Sequence, residues 1–464
     1  MINLNHEFNQ KGSKLGIIHS PKLQILSIVL LIVGLVPFLF SINSTAYAVS
    51  NGQDASVVLG QSDFTHGSQN QGGGTTPSAT SLRFPQGTAF DSSGNLWVVD
   101  SSNSRILEYT TPLTTGKAAS VVLGQLNFTY GKSNQGVTVP SAITEAFPHA
   151  IAFDSSGNLW VADANNNRIL EYTTPLTTGK AASVVLGQLN FTYGTLNQGG
   201  TVPTAITEDF PQGIAFDSSG NLWVADSGNN RILEYTTPLT TGKAASVVLG
   251  QLNFTYGNSN QGGTVPSAIT EAFPQGIAFD SSGNLWLGDS SNSRILEYTT
   301  PLTTGKAASV VLGQSDFTHR SPNQGGGSTP SVTGVAGPQG IAFDSSSNLW
   351  IADSGNNRTL EYTTPLTTGK AASAVLGQSD FTTGISGLSQ NKLNLHLTVF
   401  NGPTFDSSGN LWIGDENNNR ILEFVLGPSP SIPEFPIGGI VLMFAVSGAA
   451  YAAIRYRAMR ISSL

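Results

Sequence analysis

The chain has 464 residues, no cysteine and a formal net charge of −8 at pH 7, with 52 glycines and only 11% charged residues. The lack of cysteine excludes disulfides, thiolate metal sites and cysteine nucleophiles, and the acidic balance argues against nucleic acid as a partner. Abundant Gly, Ser, Thr, Val and Asn are typical of short strands joined by tight turns.

Residues 1–48 resemble an export signal. Lys11, Lys14 and Lys22 precede an apolar run at 23–40, and Ala46-Tyr47-Ala48 has the small-x-small pattern of a signal-peptidase site. We expect the mature chain to begin near Val49. An uncleaved N-terminal anchor is the alternative, because the apolar run is longer than a usual signal core.

One motif then recurs six times, about 63 residues apart, which indicates a single structural unit used six times. In the third copy, 213–217, 222–226, 231–235 and 243–250 are predicted strands separated by Gly- and Asn-rich turns. Four antiparallel strands make one propeller blade. The motif is Phe-Asp-Ser-Ser-Gly-Asn-Leu-Trp, with Ser for Gly in the fifth copy, and its Asp falls at Asp91, Asp154, Asp217, Asp280, Asp344 and Asp406.

The order of the strands predicts how the propeller closes. A strand of the fourth type at 55–60 precedes the first copy, whereas the sixth copy supplies only 403–406, 411–415 and 420–424. We expect the N-terminal strand to complete the last blade. The prediction is therefore an all-β, six-bladed propeller over residues 49–427 without exposed sheet edges.

The segment 211–233, Pro-Gln-Gly-Ile-Ala-Phe-Asp-Ser-Ser-Gly-Asn-Leu-Trp-Val-Ala-Asp-Ser-Gly-Asn-Asn-Arg-Ile-Leu, resembles the NHL repeat. The resemblance covers residues from about 54 to 426 and implies a six-bladed propeller. It also implies an alternative function, because some NHL-related enzymes are lyases or lactonases that hold zinc or calcium in the channel.

The C-terminal part is predicted to anchor the chain. Residues 428–436 form a Pro-rich stalk, 437–454 an uncharged apolar transmembrane helix, and 455–464 a basic cytoplasmic tail, which places the propeller outside the cell. Pro433, Glu434 and Phe435 resemble the PEF-type sorting signal of archaeal surface proteins, which an archaeosortase processes. Simple anchoring is the alternative, since Pro436 stands where the commonest form of that signal has Gly.

Two recurring sets of residues are predicted to be structural. One Trp per copy is expected to pack between blades rather than to form an exposed sugar platform. An Asp five residues before an Arg is expected to tie the turn between the second and third strands. The sets are Trp97, Trp160, Trp223, Trp286, Trp350 and Trp412; Asp100, Asp163, Asp226, Asp289, Asp353 and Asp415; and Arg105, Arg168, Arg231, Arg294, Arg358 and Arg420.

Long loops from each fourth strand to the next first strand are expected to build a raised rim around one face, with a fixed Asn-Gln-Gly turn at 70–72, 197–199, 260–262 and 323–325. At the start of the innermost strands, a ring of mostly amide side chains is predicted to face the channel and to suit hydroxyls or carbonyls of a ligand. The alternative is that these side chains satisfy strand ends and water. The ring is Gln86, His149, Gln212, Gln275, Gln339 and Asn401.

Metal and cofactor chemistry is not expected, because zinc needs three converging ligands and only His149 lies in the ring. His66 and His319 fall in rim loops and His396 in the last loop. Asn127, Asn190 and Asn253 each begin an Asn-Phe-Thr glycosylation motif, although the same Asn could merely cap a turn.

These observations predict an exported, surface-anchored propeller that binds rather than catalyses. Its expected partners are an envelope glycan or protein at the rimmed face, the membrane through the C-terminal helix, and an archaeosortase-type enzyme. The alternatives are an extracytoplasmic metal-dependent hydrolase or lyase, and a purely architectural envelope component.

Overall fold

A computed structural model describes residues 49–395 and 402–426. These residues form six four-stranded antiparallel sheets, each in the order expected of a propeller blade. The structure thus confirms the predicted all-β, six-bladed fold. The predicted signal peptide, stalk, transmembrane helix and tail lie outside the described residues.

Each blade runs from an inner first strand to an outer fourth strand. Blade one is β2 Pro85–Phe90, β3 Leu96–Asp100, β4 Arg105–Tyr109 and β5 Val121–Leu123. Blade two is β6 Pro148–Phe153, β7 Leu159–Asp163, β8 Arg168–Tyr172 and β9 Val184–Leu186. Blade three is β10 Pro211–Phe216, β11 Leu222–Asp226, β12 Arg231–Tyr235 and β13 Val247–Leu249.

The remaining blades repeat this plan. Blade four is β14 Pro274–Phe279, β15 Leu285–Asp289, β16 Arg294–Tyr298 and β17 Val310–Leu312. Blade five is β18 Pro338–Phe343, β19 Leu349–Asp353, β20 Arg358–Tyr362 and β21 Ala374–Leu376. Blade six is β22 Thr404–Phe405, β23 Leu411–Asp415, β24 Arg420–Phe424 and, as its fourth strand, β1 Val57–Leu59.

The ring closes through β1, as predicted. Val57, Val58 and Leu59 pair antiparallel with Glu423, Leu422 and Ile421 of β24. Val58 and Leu59 are fully buried, so the strand that comes first in the propeller contributes side chains to the core on both sides of blade six. Closure covers the edge that β24 would otherwise expose.

The tryptophans pack between blades, also as predicted. Each is at most 1% exposed. Trp97, for example, meets Phe153 of the next blade edge to face at a centroid distance of 6.1 Å. Its indole Nε1 donates to Oδ2 of Asp91, 3.2 Å away, while Oδ1 of Asp91 accepts from the backbone of Ser93 and Asn95. The motif Asp therefore builds the hairpin turn and orients the tryptophan.

The first strands approach one another closely around the axis. A Cβ atom on Gly213 would lie 2.3 Å from the backbone oxygen of Gln275, and one on Gly276 would lie 2.4 Å from that of Gln339. The pairing register shifts just here, between Pro211 and Ile214 in blade three. Glycine is needed at both positions because neighbouring backbones meet there.

The propeller has two unlike faces. The rim face carries the long loops between blades, and the turn face carries the Asp-Ser-Ser-Gly-Asn hairpins. Because Val57 pairs with Glu423 near the end of β24, the described chain both enters and leaves the propeller at the turn face. Within residues 49–395 and 402–426, no helix is long and apolar enough to cross a membrane.

Candidate ligand-binding face

The rim loops have a fixed conformation. Between the fourth strand of one blade and the first strand of the next, five loops contain an Asn-Gln-Gly turn in which Asn and Gln are both left-handed. Four of the turns lie at the predicted positions, and the fifth, at 134–136, was not predicted. In the second loop, Asn134 and Gln135 have φ of 48° and 53°. The Asn134 and Asn166 amides exchange hydrogen bonds of 3.0 and 2.8 Å, and Gln135 Nε2 donates to Ile143 O at 2.9 Å. The five turns are Gln69–Gly72, Ser133–Gly136, Leu196–Gly199, Ser259–Gly262 and Pro322–Gly325.

The six predicted Asp–Arg pairs exist and do more than tie one turn. All are fully buried, with Nε to Oδ2 distances of 2.6 to 2.7 Å. Arg168 also donates from Nη1 to Phe191 O at 2.6 Å and from Nη2 to Thr144 O at 2.7 Å. Thr144 and Phe191 belong to the rim loops before and after blade two. Each buried arginine thus joins two adjacent rim loops through charge-assisted bonds.

Three rim loops contain a buried glutamate that the sequence pattern did not single out. Glu145, Glu208 and Glu271 are fully buried and accept from the hydroxyls of Tyr172, Tyr235 and Tyr298 at 3.0, 2.8 and 3.0 Å. Burial, followed by the charge of the neighbouring buried aspartate, raises the pKa of Glu145 well above its ordinary value and the pKa of Glu208 and Glu271 to about 8. Burial thus favours the protonated form of these three glutamates.

The other loops replace this glutamate by an aliphatic side chain. The glutamate packs on the glycine that ends each fourth strand, such as Gly187 beside Glu208. In the remaining loops Leu82, Val335 and Leu393 pack on the equivalent Gly60, Gly313 and Gly377. The occurrence of Leu or Val at the equivalent position of the other loops indicates, from sequence alone, that the glutamate is buried.

The rim is divided into two chemically different halves. In the loops at 124–147, 187–210 and 250–273, which we call the apolar half-rim, Leu126, Leu189 and Leu252 are 54 to 58% exposed. Tyr130, Tyr193 and Tyr256 are 43 to 49% exposed. The other three loops have serine in place of the leucine and His66, His319 or Thr383 in place of the tyrosine. Exposed apolar side chains gathered on one side of a protein can mark a contact site.

The three glycosylation motifs lie within this half-rim. Asn127, Asn190 and Asn253 are exposed. In each motif the Asn Oδ1 accepts from the backbone and hydroxyl of the Thr two residues later, at 3.0 and 2.8 Å for Asn127. Asp63, Asp316 and Asp380 form the same turn in the other loops. The turn accounts for the Asn or Asp, and glycosylation stays a prediction.

The predicted channel ring is buried. Gln86, His149, Gln212, Gln275 and Gln339 are at most 2% exposed, and Asn401 lies outside the described residues. His149 Nδ1 lies 2.7 Å from Gln212 Oε1, and desolvation lowers the pKa of His149 to about 4. Both side-chain polar atoms of Gln275 are buried without a protein partner. The five described ring side chains thus form a buried polar layer, so a ligand arriving from solvent would not contact them first.

An arc of phenylalanines precedes the first strands of blades one to four at the rim face. Phe84, Phe147, Phe210 and Phe273 are left-handed, with φ between 48° and 53°, and glycine stands at the fifth position, Gly337. Phe210 packs on His149 at 4.9 Å and on Phe273 at 6.2 Å. A left-handed backbone is costly for a bulky residue and persists where the surroundings enforce it.

The described histidines outside the ring, His66 and His319, do not form a metal centre with other described side chains. His66 and His319 pair with Asp63 and Asp316 at 2.7 and 2.8 Å in exposed rim loops, and His396 lies outside the described residues. No group of three or more potential ligands among His, Cys, Asp and Glu occurs in the part of the chain that the structure describes.

One cleft on the rim face, which we call the rim cleft, has a volume of about 460 Å³. It lies between the second and third rim loops, beside the turn that follows β7. A larger cleft of about 570 Å³ lies on the turn face, between the Asp91 and Asp154 turns. The rim cleft is lined by Ser133, Asn134, Thr138, Val139, Pro140, Ala146, Asn165, Asn166, Thr192, Tyr193, Gly194 and Thr195.

Comparison with known proteins supports the repeat assignment. The family model described as the NHL repeat matches residues 82–109, 146–172, 209–235 and 272–298. These matches span the first three strands of blades one to four. Blades five and six have the same strand order, so the chain contains NHL repeats within a six-bladed propeller.

Three solved structures align with much of the chain at low identity and with TM-scores below 0.5. A virginiamycin B lyase from Staphylococcus aureus is 15% identical with a TM-score of 0.41, covering 76% of this chain and 96% of its own. A gluconolactonase from Xanthomonas campestris is 13% identical with a TM-score of 0.42, covering 74% and 86%. An auxiliary nutrient binding protein from Bacteroides thetaiotaomicron is 15% identical with a TM-score of 0.42, covering 74% and 69%. No curated protein sequence matches significantly.

Proposed function

We propose that this NHL-repeat propeller is a binding module of the cell surface and that its ligand, an envelope glycan or protein, contacts the apolar half-rim. The observation that carries the proposal is the exposure of Leu and Tyr side chains on three adjacent loops, at positions where the other loops have polar residues. A scaffold of buried Asp–Arg pairs holds the backbone of these loops in place, which lowers the backbone entropy lost on binding.

First contact is assigned to the half-rim rather than to the channel ring, because the ring side chains are buried. The ring supports the surface from below, since His149 packs on Phe210. Phe147, the most exposed member of the phenylalanine arc at 37%, lies where an apolar half-rim loop meets the innermost strand of blade two.

The path of the chain supports an outward-facing rim. The described chain leaves the propeller at Leu426 on the turn face, shortly before the Pro-rich segment 428–436 and the apolar segment 437–454. If the apolar segment anchors the protein, the rim points away from the membrane. Export, anchoring and processing at Pro433, Glu434 and Phe435 are part of the proposal, and accessibility of the rim to protease on intact cells tests the orientation.

The binding proposal is tested with the full chain and isolated cell envelopes in a sedimentation assay. In the half-rim variant, each Leu becomes Ser and each Tyr becomes His, which reproduces the residues of the loops at 60–84 and 313–337. We expect at least tenfold weaker binding. The control variant, His66→Thr with His319→Thr, alters the same loop position on the opposite side and should bind normally. Unchanged binding by the half-rim variant would refute the proposal.

A further inference from the structure

The rim cleft differs in charge from its neighbours. Its lining includes no acidic or basic side chain. At the position of Ala146, the preceding loop has Arg83 and the following loop has Asp209. Asp209 is accommodated by Gly228, where a Cβ would lie 2.5 Å from its carboxyl carbon, whereas the rim cleft has Asn165 at that position. Among these three adjacent sites, only the rim cleft combines an aromatic side chain with an uncharged lining.

The lining offers two kinds of contact. Tyr193 and Val139 are 49 and 56% exposed and provide apolar surface. Thr138, Thr192 and Asn165 are exposed and provide hydroxyl and amide groups. A pyranose ring matches this pattern, because its C–H face packs on an aromatic ring while its hydroxyls pair with neutral donors and acceptors.

The size of the cleft agrees with a short saccharide. A volume of about 460 Å³ lies within the range of small-molecule sites. The walls of the cleft are held by contacts within the protein. Asn134 and Asn166 are hydrogen-bonded to each other, and Gly194 lies so close to Pro140 that a Cβ atom at this position would be 3.1 Å from Pro140 Cγ. Little ordering of the protein is then needed on binding.

We infer that the rim cleft binds a neutral saccharide unit of an external glycan, with Tyr193 as its stacking platform. This inference rests on the proposed function and narrows it to one ligand class and one cleft. Uronic acids and other charged sugars are poor ligands, because no cation in the lining offsets the loss of their hydration.

The test measures binding of the full chain to neutral hexose and N-acetylhexosamine oligosaccharides, with a uronic acid series alongside, by isothermal titration calorimetry. All proteins carry Asn190→Ser, which keeps a side-chain oxygen for the turn with Thr192, adds no charge beside the cleft and prevents a glycan of the chain itself from occupying it. We expect saturable binding of at least one neutral oligosaccharide. Tyr193→Thr, which copies Thr383, should weaken it at least tenfold, whereas His319→Thr should leave it unchanged.

A second variant, at different residues of the cleft, distinguishes loss of the binding site from misfolding of the first variant. Ala146→Asp with Asn165→Gly reproduces the Asp209 and Gly228 pair of the next site and places a carboxylate in the cleft. It should also weaken binding at least tenfold. Failure of every neutral oligosaccharide to bind, or unchanged binding by both variants, would overturn the inference. The two proposals fail in different assays. If no neutral oligosaccharide binds in the calorimetric assay while the half-rim variant still loses envelope binding, the saccharide inference is refuted and the proposed function stands.

Discussion

The buried glutamates make a specific prediction about stability and pH. Glu208 and Glu271 have a pKa of about 8 in the folded chain against 4.5 for an ordinary glutamate. Their contribution to stability is therefore fully present below pH 4.5 and is lost as the pH rises towards 8. The difference corresponds to about 5 kcal/mol of unfolding free energy for each carboxyl.

The perturbation is the replacement of Glu145, Glu208 and Glu271 by Leu, the residue that packs at this position as Leu82 and Leu393. The variant leaves the tyrosine hydroxyls without a partner, as Tyr109 and Tyr362 already are in the native chain. We expect it to be more stable than the parent at alkaline pH, and the difference to shrink towards pH 5.

The assay is chemical denaturation of parent and variant between pH 5 and pH 9, followed by tryptophan fluorescence. Comparing the two proteins at each pH cancels the titration of the groups that they share, apart from Asp163, Asp226 and Asp289, which interact with the replaced carboxyls. Glu→Gln at the same positions serves as the isosteric control and should show a similar loss of pH dependence. Parallel curves for parent and variants would refute the conclusion that folding raises the pKa of these carboxyls.

Three further predictions follow from the axis and the rim. His149→Gln, which copies the residue of blades one, three, four and five, should reduce the loss of stability on acidification from pH 6.5 to about 4. The reason is that folding depresses the pKa of His149, so the folded chain favours the neutral imidazole. Denaturation at a series of pH values checks this, and the same loss of stability in parent and variant would contradict it. Phe210→Gly should be more stable than Phe210→Ala by about 1 kcal/mol, because both lose the ring but only glycine adopts a left-handed backbone freely; equal midpoints would show that strain is absent. Metal analysis of the purified full chain should find no stoichiometric zinc or calcium, and stoichiometric metal would favour the hydrolase or lyase alternative.

The scaffold could be predicted from the sequence because its determinants repeat. Six copies of one motif specified the strands, the order of β1 relative to the first copy specified closure, and the Trp and the Asp–Arg spacing specified packing and turns. Each of these features depends on contacts that are local or that recur in every blade.

The rim was harder to predict, because its properties arise from side chains that differ between copies and meet only in three dimensions. Glu208 would ordinarily be assigned to the surface, and only its replacement by Leu82 and Val335 in other copies signals burial. Phe210 has a left-handed backbone, which phenylalanine rarely adopts. Only the glycine at the equivalent position of blade five, Gly337, indicates this conformation in the sequence. The uncharged cleft depends on Ala146 and Tyr193 from different loops, which no single-loop pattern brings together.

The buried arginines have a consequence for how this surface can change. Because Arg168 and its counterparts grip the stems of two loops through backbone carbonyls, the grip does not depend on which side chains the loop tips present. The loop tips can therefore differ in sequence while the backbone contacts that hold the loop bases stay the same. We therefore expect a loop segment from one blade to fit at another blade, and point substitutions after gene duplication to change the exposed surface of the propeller without altering its scaffold.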